Sequence, residues 1–151
     1  MFQGAFPFFV PLKPAIPALH LAVYRLTNGR LSARLAGQKM LLLTTTGRRT
    51  GKPRTVPLLY IDHGETMIVI GSNWGGPAHP MWVRNLLAKP EARVQIGPRK
   101  RRVTASVASG PERERLWQVV TGTYAGYKDY ARRIADAGEI PLVVLTPRTA
   151  A

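Results

Sequence analysis

The chain has 151 residues, room for one domain of ordinary size, and sets 22 Lys and Arg against 8 Asp and Glu for a formal charge of +14. An apolar share of 45% excludes a disordered or fibrous class, and the lack of cysteine excludes disulfides, zinc ribbons and thiolate catalysis. The first acid, Asp62, comes after nine cations, and a balance this one-sided points to anionic partners rather than to any particular fold.

Residues 1–14 form a Pro-rich apolar arm with Pro7, Pro11 and Pro14. The arm lacks the basic start and unbroken apolar run of a signal peptide and is too interrupted to span a bilayer. It reads as packing on its own domain or on a twin subunit, or as resting on a membrane surface. From 15 to 27, Ile16, Leu19, Val23 and Leu26 recur at the spacing of one helix face, and Asn28-Gly29 supplies a stop. The run KMLLLTTT (39–46) is then apolar and β-branched, Gly47 ends it, and RTVPLLYID (54–62) resumes the β character. HGE makes the next turn, and TMIVIGS (66–72) is a strand apolar enough to be buried on both faces. The loop NWGGPAHP leads to Pro80, which suits a helix start. The helix predicted at 81–89 puts Trp82, Val83, Leu86 and Leu87 on one face. ARVQIG (92–97) and KRRVTASVAS (100–109) read as a hairpin across Gly97-Pro98, PERERLWQVV (111–120) as a helix, and IPLVVLTP (140–147) as a last strand. About six strands joined by short turns favour antiparallel pairing, hence a small barrel covered by helices and a single domain over 1–151.

Chemistry is narrowed by elimination. His20, His63 and His79 are isolated, with no metal-ligand spacing, and Ser72 has no nucleophile elbow around it. The acids fall at turns and helix starts, where the helix dipole alone accounts for them. An enzyme of this composition would take its reactive atom from a cofactor. Three stretches could hold one. The turn TTTGRRTGKPRTVPL packs Arg48, Arg49, Lys52 and Arg54 together with no acid nearby, and guanidinium groups bind phosphate and carboxylate oxygens in pairs. The loop GSNWGGPAHP offers a hydroxyl, an amide, backbone N–H groups and a helix N-terminus to an anion. In TYAGYKDY, Tyr124, Tyr127 and Tyr130 are three apart, so on a helix each is turned about 60° from the last and all share a face. Their hydroxyls, protonated below a pKa of about 10, could donate a proton to a reduced oxygen. Each stretch also has an ordinary reading: a solvated hairpin tip, a plain connection and a core aromatic stripe.

Taken together, LLLTTTGRRTGKPRTVPL, IVIGSNWGGPAHPMWVRNLLAKPEARVQI and TYAGYKDY resemble the deazaflavin-dependent nitroreductase family of actinobacteria, across about Leu19 to Leu145. The resemblance implies a six-stranded antiparallel split β-barrel of the FMN-binding-like type, mainly β with covering helices. It implies coenzyme F420 as cofactor, a deazaflavin with a phosphate and an oligoglutamate tail, and hydride transfer from its reduced form to a nitroaromatic, quinone or enone. By the same resemblance Arg48, Arg49, Lys52 and Arg54 would hold the phosphate and tail. Gly71, Ser72, Asn73 and Trp74 of the loop would contact phosphate and ring, Val56 and Pro57 would border the ring, and Met81, Trp82 and Asn85 would lie beside the cofactor. Tyr124, Tyr127 and Tyr130 would line the acceptor side, with a tyrosine or water supplying the proton. Some relatives carry a tyrosine where this chain has Leu59, while Tyr60 here would point the other way on an alternating strand.

The implied setting is cytoplasmic, as a monomer or homodimer, with a small-molecule acceptor and no specific nucleic acid. Peripheral membrane contact is compatible with it. Two alternatives stand beside this reading. A basic module could bind nucleic acid through RKRR at 99–102, or an anionic membrane through the N-terminal arm and basic surface, and a split barrel could use flavin mononucleotide, whose one phosphate would leave the four-cation turn oversized.

Overall fold

In the computed structural model the described residues are 34–35, 38–71, 79–123 and 140–149, together with Ala22, which is helical, and Arg132. The arm at 1–14, the rest of the 15–27 helix, Ser72, Asn73, Trp74, Tyr124, Tyr127 and Tyr130 lie outside them. Seven strands and two longer helices follow in chain order: β1 (Arg34–Leu35), β2 (Gln38–Thr46), β3 (Pro53–His63), β4 (Thr66–Ile70), α1 (Met81–Ala88), β5 (Glu91–Ile96), β6 (Arg99–Val107), α2 (Gly110–Thr123) and β7 (Leu142–Pro147). The six expected strands are all present. The two-residue β1, which pairs with β2 through Arg34 and Lys39, is additional.

Every pairing is antiparallel, in the order β2-β3-β4-β7-β6-β5, and β5 pairs back onto β2, so six strands close into a barrel. The turns that permit this are short. Gly64 and Gly97 take φ of 61° and 56° in the β3–β4 and β5–β6 hairpins, a region where a Cβ is penalised.

Alternation along the strands sorts the core into two compartments. Leu41 and Leu43 of β2, Tyr60 of β3, Val69 of β4, Val94 of β5 and Val103 of β6 fill the barrel interior, and Val143 and Leu145 join them from β7. The opposite parity of β4 and β7, namely Ile68, Ile70, Leu142 and Val144, lies outside the barrel under Leu116 and Val120 of α2. Strand β4 is therefore buried on both faces, as its apolar run predicted. Arg113 ties α2 down by donating to the Ile140 carbonyl at 2.9 Å, with its guanidinium 5.3 Å from the Trp117 ring centroid.

Helix α1 adds Trp82, Val83 and Leu86 to the interior cluster. Pro80 precedes it, and the Pro80 carbonyl accepts from the N–H groups of Val83 and Arg84. The expected face is corrected at one position: Leu87 is 63% exposed, and the fourth buried residue is Asn85, at 4%. At 100° per residue Leu87 falls about 40° beyond Val83 and Asn85 about 60° beyond Trp82, so helix geometry does not choose between them. Asn85 is buried where its amide is bonded to the Arg48 N–H and the Thr45 hydroxyl.

Candidate functional site

The basic turn leaves the barrel between β2 and β3 and is folded tightly on itself. The Gly47 N–H donates to the Lys52 carbonyl at 2.8 Å, and the Gly51 N–H donates to the Gly47 carbonyl at 2.8 Å. A Cβ at Gly47 would sit 2.8 Å from Thr50 Oγ1 and 3.1 Å from the Lys52 carbonyl oxygen, so a side chain there would push the turn apart. Gly51 takes φ of 69°. Thr50 Oγ1 accepts from the Lys52 N–H at 3.2 Å, with Arg54 Nη2 at 3.5 Å. Arg48, Arg49, Lys52 and Arg54 all stand exposed around this knot. Among the described residues one ion pair is formed, Lys39 to Asp62 at 2.7 Å, and it lies elsewhere, at the far end of β2.

Asn85 joins the turn to α1. Its Oδ1 accepts the Arg48 N–H at 3.1 Å and its Nδ2 donates to Thr45 Oγ1 at 3.0 Å. The backbone N–H can only donate, which fixes which end of the amide faces Arg48. Thr45 is 2% exposed, so the link is buried and its loss would strand polar groups away from water. Asn85 thus sets the height and direction of the first cation of the turn. Thr45 is the partner that sequence reading passed over. Its only trace there is a hydroxyl at the inward parity of a strand otherwise inward-facing with leucine.

The remaining candidates separate by parity and packing. Val56 packs against the barrel core, so its side chain points inward, while Pro57, opposite Leu42, faces out. Beside Pro57 on the outer surface, Thr44 and Thr55 share a hydroxyl contact of 2.8 Å. The expected alternation at 59–60 holds: Tyr60 is buried in the interior cluster, and Leu59 is opposite Met40 on the outward parity. Trp82 is a core residue, 7% exposed, whereas Met81 is 57% exposed. The Gly71 N–H donates to the Pro141 carbonyl at 2.9 Å, and a Cβ there would come within 2.9 Å of Val83 Cγ2. Gly71 therefore lets the backbone at the end of β4 lie close against Val83 of α1. The structure brings together Arg48, Arg49, Lys52, Arg54 and Asn85, and sets Val56 and Trp82 into the core behind them.

A closed six-stranded antiparallel barrel with helical cover is the split-barrel architecture, and the cations of its β2–β3 turn have no acid partner among the described residues. Comparison with known proteins agrees. The F420H(2)-dependent quinone reductase family matches residues 18–147. An F420H(2)-dependent quinone reductase of Mycobacterium tuberculosis is 41% identical over 134 residues, covering 86% of this chain and 89% of the relative. Among solved structures, an F420-H2 dependent reductase, FDR-A, superposes with a TM-score of 0.64 at 33% identity, over 70% of this chain and 92% of its own. A second, described as a domain-swapped dimer, gives 0.66 at 28% identity, over 88% and 99%. The chain belongs to the F420H(2)-dependent quinone reductase family. It is an oxidoreductase of the split-barrel fold, and its cofactor is reduced coenzyme F420.

Proposed function

We propose that this chain passes a hydride from reduced F420 to a quinone-type acceptor, with the turn from Arg48 to Arg54 as the grip on the cofactor's acidic handle. The observation that carries the assignment of residues is the state of the four cations. They are exposed, bonded to no acid among the described residues, and mounted on a turn that glycines and a buried amide make rigid. That donor set suits a phosphate and several carboxylates, and each charge-assisted contact is stronger than a neutral hydrogen bond. Bound F420H2 supplies the hydride.

The chain's own share is to bind and orient. Arg48, Arg49, Lys52 and Arg54 hold the anionic end, Asn85 positions Arg48, and Pro57 offers an apolar border on the outer strand surface. Holding the two reactants face to face accounts for much of the rate advantage available to such an enzyme. On the sequence alone, Ser72, Asn73 and Trp74 are assigned to the phosphate and ring, and Tyr124, Tyr127 and Tyr130 to the acceptor side. The balance of the reaction is simple: hydride reaches one quinone oxygen or ring carbon, and a tyrosine hydroxyl or water supplies one proton, giving the quinol.

The test is titration of the cofactor-free protein with F420 and with flavin mononucleotide, on the wild type and Arg54→Ala, at low and raised salt. F420 is expected to bind in preference, more weakly in the variant and at high salt. Preference for flavin mononucleotide, or an Arg54→Ala variant that binds F420 as well as the wild type does, contradicts the assignment. For the tyrosines, Tyr127→Phe is expected to lower turnover while leaving cofactor affinity in place.

A further inference from the structure

The register of β5, β6 and β7 sets three arginines side by side. Arg93 of β5 lies directly opposite Arg102 of β6, and the N–H of Arg148, just past β7, donates to the Arg102 carbonyl at 2.9 Å, which puts it level with both. Ala92, Val94, Val103 and Leu145 fill the barrel interior, so by alternation Arg93, Arg102 and Arg148 are on the outer face. All three are exposed, and none is in an ion pair among the described residues. Arg99 and Arg101, opposite Ile96 and Val94, are of the other parity and do not belong to this row.

The row leads back to the basic turn. Arg93 is also opposite Thr44, and Thr44 is opposite Thr55, the two hydroxyls lying 2.8 Å apart. Thr44 is roughly 7 Å along β2 from Thr46, the last strand residue before Gly47 and the turn. Glu91, the one acid on β5 and β6, is opposite Thr104, and it stands over β5 on the turn side of Arg93. The acid-free way from turn to row therefore runs along β2, over Thr46 and Thr44.

Like charges facing one another across neighbouring strands destabilise a sheet, so the row is unfavourable for folding alone. Its three cations span two strand spacings, roughly 10 Å, and an anion with several acidic groups would turn their repulsion into attraction. The ligand that fits both the row and its route is a chain bearing one carboxylate on each successive unit and joined to a phosphate, because the row begins beside a phosphate grip. We infer that Arg93, Arg102 and Arg148 form a second subsite of the cofactor site, one that takes the carboxylates of the oligoglutamate tail beyond those the turn holds. This rests on the assignment of the turn to the cofactor's phosphate. The turn then fixes the cofactor, and the row reads the length of its tail.

The experiment is fluorescence titration of the full chain with three forms of the cofactor: phosphate but no glutamate, a short tail, and a long tail. Wild-type affinity is expected to rise with tail length, and the gain to shrink as salt rises. At the few-fold that one exposed ion pair contributes, three amount to about tenfold, so the triple variant Arg93→Ser, Arg102→Ser, Arg148→Ser should lose about tenfold for the long tail. Its affinity for the glutamate-free form should equal that of the wild type. The triple with lysine at the same three positions should keep most of the tail preference. Melting of the cofactor-free proteins checks the fold, and the serine variant should melt no lower than the wild type because a repulsion has been removed. A wild type indifferent to tail length, a serine variant that keeps the preference, or one that loses the glutamate-free form by the same factor overturns the inference. The glutamate-free form reports on the turn alone. Its tight binding without tail dependence would leave the turn standing and remove the row, whereas weak wild-type binding of every form would remove both.

Discussion

The molecule has two cation-bearing hairpins built on opposite logic. The β2–β3 turn is knotted by Gly47 and Gly51, and a buried Asn85–Thr45 link fastens it to α1, so its charges have fixed origins. The β5–β6 hairpin has a plain two-residue turn and an Arg93–Arg102 pair opposed across the strands. A discrete ligand with a few acidic oxygens rewards the first arrangement, because each bond depends on geometry. The second has no such anchoring, and its opposed arginines repel one another.

Substitutions should separate the two. Asn85→Leu strands the Arg48 N–H and the Thr45 hydroxyl, at a cost of about 2 kcal/mol. If Asn85 positions the grip, F420 affinity measured by fluorescence titration should fall roughly thirtyfold at that cost, with a melting temperature lower by about 4–8 °C. A lowered melting temperature with unchanged affinity would make Asn85 a packing residue only. Next in size, Arg48→Ala or Arg54→Ala should weaken F420 binding about tenfold, an effect that shrinks with salt. In the Asn85→Leu background the Arg48→Ala effect should largely vanish, since coupled residues are not additive. Thr45→Val should cost about 1 kcal/mol, or roughly fivefold in affinity, and Thr45→Ser should restore it. The smallest effect carries the opposite sign. In the cofactor-free chain Arg93→Thr relieves like-charge repulsion and should raise stability by about 0.5 kcal/mol, seen as a melting temperature higher by about 1–2 °C.

Much of this framework was legible in the chain. Runs such as KMLLLTTT and TMIVI show their strands because apolar and β-branched residues are local properties, and Gly64 and Gly97 mark hairpins for the same reason. The cation turn was visible as a cluster without acids. Its rigidity was not, because the partners of Arg48 and Thr45 come from a helix residue 37 and 40 positions away. Periodicity also placed Leu87 in the core and gave no warning that Asn85 would replace it. A buried amide looks like a surface residue until its hydrogen-bond partners are known. In the same way, the family resemblance grouped Val56 with Pro57, while strand alternation sends one inward and the other out.

Strand β7 fits between β4 and β6, yet it follows β4 by more than seventy positions and is the last of the six to be synthesised. Until it leaves the ribosome, the nascent chain holds two raw sheet edges whose outward residues, Ile68 and Ile70 among them, await their cover. Biogenesis of this enzyme is therefore the stage at which it is most open to self-association, and chaperone demand during translation should follow the delay before β7 emerges.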